Sequence, residues 1–382
     1  MKLKKIVVSL SLSMAAAITS SLGCLPASAL EICDTDVTTS SDGNVMIGIE
    51  GTYIECEKKA VDLINSYRLE ACQKGYINPS SGEKLTMSDY IPIKWSDDLE
   101  YIARIRAAES SVTMAHVRTN NNDCFEISSP SGKRSWGEVL AWNWSNDVTS
   151  GINQWYEEKE AYLNKTPNAV TGHYTQMIDP ENTYVGIGTF LCDSVSYHNT
   201  TCGEFSSETS GQQYNFYYGE CVQKIETIEE SVEFSLNNSN DKLIYGMTKE
   251  LSLGMKFCGA DGFPLLDTVS WTSSNPDVIS VSGNEATANN YGTATLSAKI
   301  GGITKSFNVT VIDKVLGDAN GDGSVDSKDA VLVLKSYAEE LVSGKHSVDV
   351  NVSDVNKDSK VDSKDAVEIL KTYAKNLVGN KN

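Results

Sequence analysis

A chain of 382 residues exceeds one ordinary domain and suits two or three. Hydrophobic residues at 40% and charged residues at 22% exclude a wholly disordered or collagen-like chain. With 32 Lys+Arg against 51 Asp+Glu the net charge is −19, which repels phosphate backbones and anionic lipid and argues against nucleic-acid and membrane-surface roles.

The chain opens on Lys2, Lys4 and Lys5, an apolar run from Ile6 to Ile18, and the small-residue string Ala27-Ser28-Ala29. This pattern predicts a secretory signal peptide over residues 1–29, cleaved after Ala29. Ser21 stands where a lipobox carries Leu, which argues against lipid attachment at Cys24. No later stretch approaches the ~20 apolar residues of a membrane span, so a soluble, secreted, extracellular protein is expected. Eight cysteines follow the leader: Cys33, Cys56, Cys72, Cys124, Cys192, Cys202, Cys221 and Cys258. An even set in an exported chain without C-x-x-C spacing predicts disulfides of unspecified connectivity rather than zinc.

Residues 45–225 hold every Trp but Trp271. Ala60-Val61-Ile64-Tyr67-Arg68 and Leu99-Ile102-Ala103-Ile105-Arg106 have helical spacing, whereas Tyr184–Phe190 and Tyr214–Tyr218 read as strands. Helices first and strands later predict an α+β layer fold. Two of the four His stand in distinctive strings, Ala115-His116-Val117-Arg118 and Gly172-His173-Tyr174-Thr175-Gln176, with Trp136-Gly137-Glu138 and Trp155-Tyr156-Glu157-Glu158 between them. In this order the strings resemble the CAP (SCP) superfamily of cysteine-rich secretory, antigen 5 and pathogenesis-related proteins. The resemblance implies a three-layer α-β-α sandwich with a cleft tetrad of His116, Glu138, Glu158 and His173. Val139 and Met177-Ile178-Asp179 depart from the usual pattern.

Two imidazoles and two carboxylates allow three uses. They can hold a zinc-like divalent ion, with His116 and His173 as ligands. They can run acid/base chemistry as candidate catalytic residues, or they can form an ionic network without chemistry. No G-x-S-x-G, H-E-x-x-H or Cys-His signature supports catalysis, and no paired-carboxylate glycosidase arrangement is evident. His198 and His346 read as bystanders. Trp136, Trp142, Trp144, Trp155 and Tyr174 suit either a ligand groove or the core.

Residues 228–313 are rich in Ser, Thr and Asn and carry short β-rich runs at Val278–Val281 and Phe307–Val311, separated by turn signals. The run Val269-Ser270-Trp271-Thr272-Ser273-Ser274-Asn275-Pro276, with Tyr291-Gly292-Thr293-Ala294, resembles a bacterial Ig-like domain of group 2. An all-β sandwich around Trp271 is implied, serving as spacer or adhesive module.

In the tail, residues 316–382, Val325–Val331 recurs identically as Val361–Val367, 36 residues on. Each copy opens with alternating oxygen donors: Asp318, Asn320, Asp322, Ser324, Asp326 and Asp329, then Asp354, Asn356, Asp358, Lys360, Asp362 and Asp365. Calcium wants six to eight oxygens, and position 7 of such a loop contributes a backbone carbonyl, so Ser324 and Lys360 are interchangeable there. Gly323 at position 6 is Ser359 in the second loop, which predicts more strain. A helix with matched apolar faces follows each loop (Val331, Leu334, Ala338, Leu341; Val367, Leu370, Ala374, Leu377), and the pair resembles a type I dockerin, a small all-α module. The resemblance implies two calcium ions and a cohesin domain of a scaffoldin as partner, contacted through Ser327, Lys328, Lys335, Ser363, Lys364 and Lys371.

The expected whole is a secreted, cellulosome-type component of polysaccharide catabolism. Its CAP domain is a binding or interaction module tethered by a calcium-dependent dockerin. The alternative is a peptidase-like hydrolase, metal-dependent or not, using the His/Glu tetrad.

Overall fold

The structure is a computed structural model that describes residues 30–237 and 242–379. The expected leader, residues 1–29, lies outside these residues. The first unit contains β1 (Glu31–Cys33), β2 (Asn44–Tyr53), α1 (Glu57–Lys74), β3 (Lys94–Trp95), α2 (Asp97–Thr113) and β4 (Gly137–Asn143). It continues with α3 (Ser150–Glu157), α4 (Lys159–Leu163), α5 (Gly172–Ile178), β5 (Tyr184–Leu191), β6 (Asn199–Ser206) and β7 (Gly219–Ile228). One sheet runs β1-β7-β2-β5-β6-β4, with β3 joined to β5. Its β1·β7 and β3·β5 pairs are parallel and the rest antiparallel.

Side chains alternate across this sheet. Val139, Ala141, Val185, Ile187 and Phe205 face a core shared with Ala60 and Ile64 of α1, Ile152 and Trp155 of α3, and Tyr174 and Met177 of α5. Leu140, Phe190 and Cys202 face the opposite side, toward Ala103 and Ala107 of α2. The result is an α-β-α arrangement. Gly186 and Gly188 bring α2 against β5, because a Cβ there would lie 2.0 Å from Glu100 N and 2.5 Å from the Ala103 carbonyl oxygen. Between Asp98 and Ser111 every α2 residue except Tyr101 is buried, so its charges require partners. Glu100 receives Tyr218 Oη at 2.5 Å and Trp95 Nε1 at 3.0 Å.

Tyr214–Tyr218, expected as a strand, is not one. Its polar groups are taken by α2 side chains rather than by a neighbouring strand. Tyr214 N–H donates to Asp97 and Tyr214 O–H to Asp98, both at 2.8 Å, and Arg104 Nη2 donates to the Tyr217 carbonyl at 2.6 Å.

The second unit is all-β. It contains β8 (Val232–Asn237), β9 (Lys242–Ile244), β10 (Thr248–Glu250), β11 (Ser252–Phe257), β12 (Val269–Ser273), β13 (Ile279–Ser282), β14 (Glu285–Ala288), β15 (Gly292–Ile300) and β16 (Ile303–Ile312). They form sheets β12-β15-β16-β9, β10-β14-β13 and β11-β8. Trp271 is buried among Leu296, Ile300 and Val309. Strand β2 also bonds this unit: Gly48 N–H reaches the Pro264 carbonyl at 2.8 Å and Met46 N–H reaches Asp267 at 2.7 Å.

The tail folds as α6 (Ser327–Ser343), the single turn α7 (Val350–Ser353) and α8 (Ser363–Gly379). Ala330 and Val333 of α6 pack on Val361, Ala366 and Ile369. Among the described residues no helix is long and apolar enough to cross a membrane.

The structure contains no disulfide among the described residues, and Cys33, Cys56, Cys72, Cys124, Cys192, Cys202, Cys221 and Cys258 are unpaired in it. Six are buried and Cys258 is exposed. Cys33 and Cys221, brought together by the β1·β7 pairing, share a thiol–thiol hydrogen bond that outweighs burial and lowers the Cys33 pKa to about 7.

Candidate functional site

The four tetrad residues come from separate elements and meet at one cleft. His116 follows the left-handed turn at Met114 (φ 50°) that ends α2, and Glu138 sits on β4. Glu158 follows α3 directly, and His173 opens α5. His116 Nδ1 lies 2.7 Å from Glu138 Oε1, and His173 Nδ1 lies 2.5 Å from Glu158 Oε1. The Glu158 carboxylate also accepts the His173 and Tyr174 N–H groups at 3.0 and 3.2 Å, so it caps α5 while orienting the ring. The two imidazoles stack at 6.4 Å between centroids.

Behind Glu138 lies a network that sequence reasoning missed. Arg106 Nε and Nη2 donate to Glu138 at 2.5 and 3.2 Å, while Nη1 reaches Glu109 at 2.8 Å. Arg118 ties Glu109 to Asp36, each at 2.8 Å. Burial alone would raise the Glu138 pKa, but hydrogen bonds from His116 and Arg106 pull it down to about 2. Glu204 stands directly across the β4·β6 ladder from Glu138. Burial first, and the Glu138 charge second, push its pKa well up. No sequence signal pairs these two carboxyls, because β-strand register is set by the turns and core of the whole sheet.

Each Nδ1 is tied to a carboxylate, leaving the other ring nitrogen for a ligand; this is the buttressing found behind metal-bound histidine. His116, Cys124 and Glu138 hold ligand atoms within 4.8 Å of one another, as do Glu138, Cys202 and Glu204. Both sets use Glu138, whose two oxygens the Arg106 guanidinium already engages, so a cation there would face that charge. His173 belongs to neither group, so among the described residues the two imidazoles share no third donor at that spacing. Among the described residues neither imidazole hydrogen bonds a hydroxyl or thiol that could serve as a nucleophile.

The five expected aromatics divide. Trp155 and Tyr174 are buried, and Trp142 is half-buried. Trp155 Nε1 donates to the Leu140 carbonyl at 3.0 Å, and Trp142 Nε1 to the Ser110 carbonyl at 2.9 Å. Trp136 and Trp144 are each 70% exposed. A groove of about 270 Å³ runs from Glu158 and His173 past Trp142 and Gln154 to Tyr197. His198 is engaged at both nitrogens by Asp193 and Asn146, each at 2.6 Å, and His346 lies beside α6, away from the cleft.

In the tail, Asp318 accepts N–H bonds from Asp322 and Gly323 at 3.0 and 2.7 Å, and Asp329 from Asn320 and Asp326 at 3.0 and 2.8 Å. Asp354 and Asp365 repeat this in the second loop. Burial raises the Asp318 and Asp329 pKa values. Loops that gather such carboxylates and carbonyls fit a hard cation. Ser359 adopts φ 68°, the left-handed conformation that Gly323 takes at φ 78°. Ser327, Lys328, Lys335, Ser363, Lys364 and Lys371 are all exposed.

Residues 61–205 match the model of the cysteine-rich secretory protein family, CAP, and residues 316–373 match the type I dockerin domain. Mouse (Mus musculus) peptidase inhibitor 16 is 27% identical over 146 residues, covering 37% of this chain and 24% of that protein. The chain thus spans about a quarter of that relative's length. Venom allergen 5 of the wasp Polistes fuscatus is 23% identical over 158 residues, covering 39% of this chain and 72% of the allergen. The structure of venom allergen-like protein 4 of Schistosoma mansoni aligns at 15% identity and TM-score 0.28, over 43% of this chain and 96% of that one. The chain therefore carries a CAP domain in its N-terminal half and a type I dockerin domain at its C-terminal end.

Proposed function

We propose that this protein is a secreted, cellulosome-type component in which the dockerin tethers the CAP domain to a scaffoldin cohesin and the CAP cleft binds a ligand. The observation that carries the reading is the pairing, in one chain, of a carboxylate-buttressed two-histidine cleft with a duplicated loop-helix dockerin. Calcium would be held by Asp318, Asn320, Asp322, Ser324, Asp326 and Asp329, and by Asp354, Asn356, Asp358, Lys360, Asp362 and Asp365. When bound it supplies the charge that lets these carboxylates converge. The helices leave Val331, Leu334 and Leu341, and equally Val367, Leu370 and Leu377, exposed. Apolar rows of this kind on a small module favour a protein partner, with the flanking Ser-Lys pairs setting partner choice. The all-β unit serves as an Ig-like spacer.

The test uses the full chain. Immobilised cohesin modules should retain it in millimolar calcium and release it with chelator, and Asp329→Ala combined with Asp365→Ala should abolish retention. Retention that ignores calcium would overturn the docking reading. For the cleft, four His make selective labelling tractable. Zinc should shift the His116 and His173 resonances and leave His198 and His346 in place; no movement of the first pair sinks the metal-ligand role.

A further inference from the structure

The groove extends beyond the tetrad, and its far end has a distinct chemistry. Trp144 holds its indole 70% exposed at the end of β4, tilted 47° against Tyr197 with centroids 5.8 Å apart. Neither ring is loose. Asn199 Nδ2 donates to the Ser145 carbonyl at 2.8 Å, fixing the turn that carries Trp144. The Tyr197 loop is closed by Cys192 N–H to the His198 carbonyl at 2.8 Å, and His198 is locked at both ring nitrogens. An exposed indole held against a half-buried tyrosine that lines the groove is a ligand platform rather than a core remnant.

We infer that Trp144 and Tyr197 form a stacking subsite for a neutral pyranose chain, an oligo- or polysaccharide. This rests on the reading of the cleft as a binding site. A pyranose presents a flat face of C–H groups, which stacks on an aromatic ring, and a rim of hydroxyls that stays in water at an exposed platform. The nearby Gln154 and Asn143 amides hold each other at 2.9 Å and bond the Trp142 carbonyl and the Ser145 N–H in turn, so the rings carry the contact. No Lys or Arg lines the groove, and the chain is strongly acidic, so an anionic glycan is disfavoured. An extended peptide is disfavoured too. Strand β4 lies at the edge of the sheet, but the carbonyls of Leu140 and Trp142 already accept from Trp155 Nε1 and Gln154 Nε2, at 3.0 and 3.2 Å.

The test is affinity electrophoresis of the full chain in gels containing xylan, glucomannan or hydroxyethylcellulose, with calorimetry against xylohexaose and cellohexaose. At least one neutral glycan should retard the protein. Trp144→Ala and Tyr197→Ala should each weaken binding about tenfold, while Trp144→Tyr keeps most of it. Because Trp144 is exposed, its variant should melt as the parent does, which separates lost binding from lost folding. Retardation unchanged in both Ala variants, or by no neutral glycan at all, overturns the inference, as does competition from an unstructured peptide alone. If zinc still moves the His116 and His173 resonances while no glycan binds, the cleft reading stands and the glycan subsite falls.

Discussion

Arg106 grips Glu138 from the interior with two nitrogens, at 2.5 and 3.2 Å, while His116 holds the same carboxylate from the solvent side at 2.7 Å. The cleft histidine is thus positioned by a cation that never reaches the cleft. Removing Arg106 leaves Glu138 and Glu109 buried without their charge partner. Arg106→Met should cost about 3–5 kcal/mol of stability, read as a lower denaturant midpoint by tryptophan fluorescence. Arg106→Lys should lose less, because it keeps the charge but not the two-pronged geometry. A midpoint unchanged in Arg106→Met would show that the network is not load-sharing.

Glu204, across the ladder from Glu138, keeps its proton in the fold through burial and its neighbour's charge. The folded state then holds a proton that the unfolded chain releases. The group's contribution is fully present below the ordinary carboxylate pKa and is lost as pH rises toward the raised folded value. Glu204→Gln keeps the shape and removes the titration. The variant should match the parent near about pH 4 and gain on it by up to about 1.4 kcal/mol per pH unit above about pH 5. Burial also raises Glu100, to about 7, but that group is common to both proteins and cancels from the difference. Parallel stability curves from acid to neutral pH would contradict a protonated Glu204.

Helix α2 shows what could be read beforehand and what could not. Its apolar spacing announced the helix, and Arg106 even fell on the apolar stripe with Ile102 and Ile105. Periodicity reports which face turns inward, not which carboxylates from β4 and β6 will be waiting there. The tetrad was legible because short strings carry family order; Glu204 has no such string, and Arg118, though it ends one, gives no sign there of its partners Glu109 and Asp36. The Tyr214–Tyr218 reading failed because aromatic alternation is the same whether a segment pairs with a strand or is strapped by Asp97, Asp98 and Arg104. The loop-helix repeat of the tail was legible, since local spacing alone brings Asp318 and Asp329, and Asp354 and Asp365, into hydrogen-bonded loops.

Gly186 and Gly188 lie under α2, where a methyl group would meet backbone atoms that cannot move alone. Gly188→Ala should therefore lift the helix off β5 and cost about 3 kcal/mol or more, above the usual range for overpacking side chains. Gly172→Ala, where a Cβ would meet nothing within 4 Å, is the control and should be near neutral. Thermal melts of the two variants decide it; equal melting temperatures would mean that α2 does not need the contact.

The two loops place side-chain oxygens at matching positions but differ at the fourth and sixth, Gly321 and Gly323 against Lys357 and Ser359, all in the left-handed region. A side chain there costs about 1–2 kcal/mol. Because calcium binding to such loops is coupled to their folding, that strain weakens binding in the second loop. Ser359→Gly should tighten one of the two calcium affinities about fivefold or more and leave the other alone. Gly323→Ala should do the reverse, and more severely, since its Cβ would also lie 2.9 Å from Lys242 Cδ and 3.0 Å from Ile312 Cδ1. That contact links the first loop to the neighbouring β unit, so the variant should loosen the junction as well as the ion, visible as faster proteolysis near residue 314 in calcium. Calorimetry resolves the two sites. Identical isotherms for the parent and Ser359→Gly would show that the Ser359 conformation places no strain on binding.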